Sequence, residues 1–189
     1  EPDTFFTVMD NWLASGERTH ASPRALADFE GQRAEEYLMN AVALYIKGDM
    51  TRARQTVNAV PSRAIIAAST IERARMLALL AMLERSATGD LEAADATALA
   101  ALAAAEEAGD EFATAHALTD LWLISSVRRD HVAALHHIDQ ALSTLGDATA
   151  HADLRSFALD DRIFTLQNLD KWPQAELTLR RARETALRG

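Results

Sequence analysis

Asp160-Asp161 and the histidines His20, His116, His131, His136, His137 and His151 are the side chains whose types suit acid–base or metal chemistry. Their spacing argues against both. Neighbouring residues on a helix diverge by about 100°, so Asp160 and Asp161 cannot share a proton, and a solvated acidic face is expected instead. The same divergence separates His136 from His137, and His131 lies five residues from His136. No H-E-x-x-H pair occurs. Solvent-facing or partly packed imidazoles are expected, with no metal and no cofactor.

The seven glycines, Gly16, Gly31, Gly48, Gly89, Gly109, Gly146 and Gly189, are too scattered to form a P-loop, a G-x-G-x-x-G turn or a G-x-S-x-G elbow. Without cysteine there is neither a thiolate nucleophile nor a disulfide framework. A formal charge of −9 argues against a phosphate backbone as partner. The one basic cluster, Arg180, Arg181, Arg183 and Arg188, suits the negative end of a helix dipole. The longest strongly apolar run, 76–83, is too short to span a bilayer. These features predict a cytoplasmic, non-catalytic protein with no direct nucleic-acid or membrane contact. The first residue, Glu1, suggests a segment of a longer protein.

What positions these side chains is a repeated helical unit. The chain has 189 residues, 49% of them hydrophobic and mostly Ala and Leu, which favours helix. The stretch KGDMTRA (47–53) returns as TGDLEAA (88–94), RRDHVAA (128–134) and LDKWPQA (169–175). Gly48, Gly89, Arg129 and Asp170 mark the same place in the four copies, at steps of 41, 40 and 41 residues. A fixed period of this length is the signature of stacked repeats.

Five residues after each marker stands an alanine: Ala53, Ala94, Ala134 and Ala175. Nine after stand Val57, Ala98, Ile138 and Leu179, and twelve after stand Val60, Ala101, Ala141 and Ala182. Offsets of 5, 9 and 12 trace one helical stripe, with a small residue where two helices cross closely. Seven before the markers are Ala41, Met82, Trp122 and Ile163, and eleven before are Tyr37, Ala78, Leu118 and Leu159, the inward stripe of a preceding helix. Each unit is therefore two antiparallel helices. Gly48 and Gly89 suit a left-handed helix end, and Asp49, Asp90 and Asp130 suit the next N-cap.

The pattern predicts first helices near 32–47, 70–88, 111–128 and 152–168, and second helices near 50–60, 91–107, 131–144 and 172–187. Ser69 to Glu72 reads as a capping box. The domain division is 1–31, an N-terminal helix and linker, and 32–189, an array with units near 32–61, 70–108, 111–145 and 152–188. Upstream, Phe5, Met9 and Trp12 share a stripe suited to packing on the first unit, to a dimer contact or to an autoinhibitory plug. Ser22-Pro23 reads as a helix start.

The "GD" turn, the small residue five positions on and the alanine at twelve resemble the tetratricopeptide repeat superfamily over residues 32–187. The period of 40–41 exceeds that family's 34. Long Ala-rich units of this kind are similar to the repeat region of large bacterial transcription regulators, the maltose regulator's family. There an ATPase domain precedes the repeats and a helix-turn-helix follows them. Stand-alone peptide-sensing repeats and HEAT-like arrays are the competing resemblances.

The superfamily implies an all-α right-handed superhelix of about four helix pairs, its first helices lining a concave groove. Carried over by register, the groove comprises Leu38, Val42 and Tyr45; Met76, Leu79 and Leu83; His116, Thr119, Asp120 and Leu123; and Phe157, Asp160, Asp161, Phe164 and Gln167. These side chains suit a protein or peptide partner, or a small neutral or cationic ligand. The Lys and Asn of a carboxylate clamp are missing from these positions. The resemblance implies the sensory or oligomerisation segment of a regulator that signals the state of its ligand; a stand-alone adaptor or homodimeric scaffold is the alternative.

Overall fold

A computed structural model describes the backbone of residues 23–60, 65–66, 68–146 and 151–186. The Phe5/Met9/Trp12 stripe lies outside the described residues. Among those described there are helices and their joints but no strand. The helices are α1 (Pro23–Ile46), α2 (Met50–Asn58), α3 (Thr70–Leu83), α4 (Leu91–Ala108), α5 (Glu111–Val127), α6 (His131–Leu145), α7 (Ala152–Asn168) and α8 (Trp172–Ala186). They pack as neighbouring pairs, α1 with α2, α3 with α4, α5 with α6 and α7 with α8, and each pair also packs on the next.

The N-caps follow the sequence. Asp49, Asp90, Asp110 and Asp130 accept from the backbone N–H three residues on, at 3.0–3.1 Å, which satisfies a donor that a helix start leaves unpaired. Ser69 and Glu72 form the reciprocal capping box. One boundary differs from expectation: α1 starts at Pro23, as the Ser22-Pro23 pair suggests, but runs through Gly31 to Ile46 with no separate helix beginning near 32. A proline is accommodated in a first turn, and one interior glycine costs only about 1 kcal/mol.

All four marker residues are left-handed, Gly48 (φ 80°), Gly89 (φ 74°), Arg129 (φ 60°) and Asp170 (φ 56°), whether or not the residue is glycine. At Arg129 the marker N–H donates to the Ser126 carbonyl at 3.0 Å, and the following N–H reaches Ser125 O at 2.9 Å. The same two bonds close the turn at Gly48 and at Asp170. Gly89 differs, because α3 ends in a π-helical turn, Glu84–Thr88. There the Asp90 N–H reaches six residues back, to Glu84 O at 3.1 Å. The π turn absorbs one residue: twenty separate Ser69 from Gly89, but nineteen separate Asp110 from Arg129 and His151 from Asp170. Arg54 Nε, from α2, donates to the Ala87 carbonyl of that turn.

The core is a seam of small residues between larger plugs. Ala53, Ala94, Ala134 and Ala175 are all buried, as the close crossing requires. The main cluster joins Trp122, Leu121, Ile124, Ile138 and Leu145 with Ala158 of α7. A second joins Leu38, Ala41, Val57, Met76 and Leu83 between the first two pairs. The extra residue of the π turn shifts the second unit by one position. Ala41 and Trp122, seven before their markers, are buried, whereas Met82 is only half-buried and Ala81 takes the core place.

Candidate functional site

The first helices α1, α3, α5 and α7 touch one another in series, α1 to α3, α3 to α5 and α5 to α7. The expected groove residues all lie on these four helices, and the structure divides them into three groups.

Leu38, Met76 and Leu83 are 0–3% exposed and sit in the core between the first two pairs. They line no surface, which corrects the groove expectation at these positions. The apolar spacing that suggested a groove wall seals an inter-helix joint instead, and the π turn adds to the difference by rotating the second unit. Val42, Tyr45 and Leu79 are half-buried against the same cluster.

On α5, His116, Thr119 and Leu123 are half-buried and Asp120 is buried. The Thr119 hydroxyl donates to the Ala115 carbonyl at 2.9 Å, so it is used within its own helix. Asp120 carries a polar cluster. Its Oδ1 lies 3.8 Å from Arg85 Nη2 on the π turn, and its Oδ2 lies 3.6 Å from His116 Nδ1 one turn back. These separations are ionic contacts rather than hydrogen bonds. Asp120 Oδ2, His116 Nδ1 and Arg85 Nε lack hydrogen-bond partners within the protein. The Asp120 carboxylate raises the His116 pKa above its ordinary value, against burial, which lowers it. Phe112 lies 6.3 Å from the His116 ring and 5.3 Å from that of His151, so this end of the face holds an aromatic–imidazole group.

On α7 the face opens. Phe157 is 67% exposed and Phe164 is 51% exposed, and Asp160 and Gln167 are exposed beside them. Offsets of 3, 7 and 10 residues keep Phe157, Asp160, Phe164 and Gln167 on one stripe. Asp161 is half-buried, and burial first and Asp160 second raise its pKa to about 6.

Two features escaped the sequence. Arg85 lies in the π turn, and nothing in the spacing announces that it reaches α5. A cleft of about 370 Å³ opens between α7 and α8, lined by Ile163, Gln167, Trp172, Pro173, Ala175, Glu176 and Leu179. The broken column is its sequence signal: Trp172 and Pro173 replace the residues that follow the marker in the other copies.

Among the described residues no cluster of three His, Asp or Glu could hold a metal, and no helix is long and apolar enough to cross a membrane. The rings of His136 and His137 lie 5.8 Å apart. Burial and then the His136 neighbour lower the His137 pKa.

Comparison with known protein families finds no match, and comparison with characterised protein sequences finds none either. Among solved structures the chain is similar to BtubC (BKLC) from P. vanneervenii, with 16% identity, a TM-score of 0.48, and coverage of 88% of this chain and 91% of that one.

Proposed function

We propose that this chain is a non-catalytic, protein- or ligand-binding helical-repeat domain. In this reading it is the sensory or oligomerisation segment of a multidomain bacterial transcriptional regulator and works in the cytoplasm. The observation that carries the binding role is the α7 stripe. Two aromatic rings more than half exposed, Phe157 and Phe164, stand beside the carboxylates Asp160 and Asp161. Exposed rings of this size gain from burial against a partner, and the carboxylates add attraction for a cation. The ligand this stripe suits is a peptide, helical or extended, presenting apolar side chains and a Lys or Arg.

The first helices touch across units; in this reading they line the inner side of a right-handed superhelix of about four pairs. A ligand that prefers one curvature would bias the packing of neighbouring domains by its differential affinity.

The test is peptide selection from a displayed library on the wild-type chain, with binding then compared on the double variant Asp160→Asn/Phe164→Ala. The reading expects selected peptides to bind at least about tenfold more weakly to the variant, equivalent to about 1.4 kcal/mol, at an unchanged melting temperature. A large fall in melting temperature would show these residues to be structural, and unchanged binding would remove the stripe as the site. The regulator assignment is tested in the gene. A P-loop ATPase encoded upstream and a helix-turn-helix downstream support it, and a reading frame confined to this chain overturns it. The second reading, a stand-alone adaptor or homodimeric scaffold, is favoured by the open α7–α8 cleft.

A further inference from the structure

The α7–α8 cleft is the stacking face of the array, presented once more with nothing on it among the described residues. One pair earlier, Trp122 and Ile138 stand seven before and nine after their marker, and both are buried, 7% and 0% exposed. Ala158 of α7 packs in the cluster that covers them, and Trp122 is bonded to Thr165 of the same helix. At the corresponding positions of the last pair stand Ile163, half-buried, and Leu179, 38% exposed. They flank the cleft, with Ala175 at its floor and Trp172, 58% exposed, at its rim. The exposed Arg180 and Arg183 lie along the same side of α8.

The complementary surface exists at the other end of the chain. In α5, the residues twelve, nine, eight and five before the marker are Ala117, Asp120, Leu121 and Ile124, all buried. In α1 the same positions are Glu36, Met39, Asn40 and Ala43, and all four are exposed, Met39 by 53%. Among the described residues, one molecule thus carries both an uncovered acceptor and an uncovered leading face at the positions that the acceptor takes inside the array. Arg180 is held by Glu176 of the cleft lining at 2.6 Å, which leaves Arg183 beside the acceptor to meet Glu36 of the leading face.

We propose that copies of this chain associate head to tail, the leading face of α1 in one copy seated in the α7–α8 cleft of the next. The contact continues the geometry by which α7 covers α5 and α6. It is heterologous, joining two different surfaces, so assembly is open-ended and grows with concentration rather than stopping at a symmetric dimer. Its charged rim makes it weaken with added salt.

Sedimentation velocity of the intact chain, from micromolar to millimolar concentration, is the experiment. The expected result is a weight-average mass that climbs past the dimer with concentration and falls in high salt. Leu179→Glu spoils the acceptor and Ala43→Glu spoils the leading face, so each variant alone is expected to remain monomeric. Mixed, they have one good surface each and are expected to form a one-to-one dimer that grows no further. Circular dichroism checks their folding, and if Leu179→Glu melts early, Trp172→Glu at the more exposed rim replaces it. A wild-type chain that stays monomeric throughout overturns the proposal. So does an Ala43→Glu variant that still dimerises, since that would mean two acceptor faces meeting tail to tail, and so does a mixture of the variants that stays monomeric.

Discussion

The Trp122 indole N–H donates to the Thr165 hydroxyl at 2.7 Å, inside the joint where α7 covers α5. Thr165 is fully buried, and its hydroxyl donates in turn to the Asp161 carbonyl at 2.8 Å. The indole therefore fills the seam while its one polar atom is satisfied across it. Removing the hydroxyl alone leaves a buried donor unpaired, which costs about 1–3 kcal/mol. Thr165→Val is expected to lower unfolding free energy by that amount in urea titration, and Thr165→Ser by distinctly less. Equal losses for the two would show that the methyl group, not the hydrogen bond, matters here.

Arg129 and Asp170 share the left-handed backbone of Gly48 and Gly89 but carry side chains. That conformation costs a residue with a Cβ on the order of 1 kcal/mol relative to glycine. Arg129→Gly and Asp170→Gly are each expected to stabilise the chain by about 0.5–1 kcal/mol, read as a rise in melting temperature. Gly48→Ala is expected to move it the other way by a similar amount, although its added Cβ would meet nothing within 4 Å. The strain is in the backbone, not in the space.

These turns also show how much of the fold the sequence states openly. The marker column was legible because the turn that ends each first helix is a local event, decided by a few residues and the N-cap after it. Helix positions followed from the same markers to within a residue or two, α1 excepted. Burial along the first helices was harder to read. It depends on which neighbour covers each face: Leu38 and Asp160 both stand ten before their markers, yet the first is buried and the second exposed. A repeat pattern gives register within a unit, but not which neighbouring helix covers each face. The contact from Arg85 to Asp120 was illegible for another reason. It passes through the π turn, whose extra residue changes the direction of everything near it.

Asp161 and His116 give the stability a pH dependence of stated sign. The folded pKa of Asp161 is raised from 3.8 to about 6, so its contribution is fully present below the unfolded value and is lost as pH climbs through 6. His116 is also raised, so its contribution is present below its ordinary value of 6.5 and is lost as pH rises beyond it. His137, lowered, works the other way, contributing above 6.5 and losing that contribution as pH falls. Asp161→Asn separates the first effect. Because Asp161 is only half-buried, solvent screening reduces the gain to on the order of 1 kcal/mol near pH 7. No gain is expected below the unfolded pKa. Melting curves across that range read the difference, and a gain of the same size at both ends would assign it to something other than Asp161 ionisation.

The π turn at Glu84–Thr88 makes the last prediction. It holds the residue by which the first helix of the second unit exceeds those of the third and fourth, so it is the place where that helix can be shortened without changing its core register. Deleting Ser86 lets the turn relax to an ordinary α-helical end and leaves Ala74, Met76, Ala78 and Ala81 facing inward as before. The main cost is a shift of the Arg85 contact with Asp120 and of the Arg54 contact with Ala87 O, together about 1–2 kcal/mol. A deletion at Thr119 in α5 has no such slack. It rotates the following residues by about 100°, turning Trp122 and Ile124 out of the seam and removing most of the main hydrophobic cluster. The first variant is expected to keep a cooperative melt a few degrees below wild type, and the second to lose cooperative unfolding. If both melted alike, the extra residue would be part of the packing rather than an insertion carried by the turn.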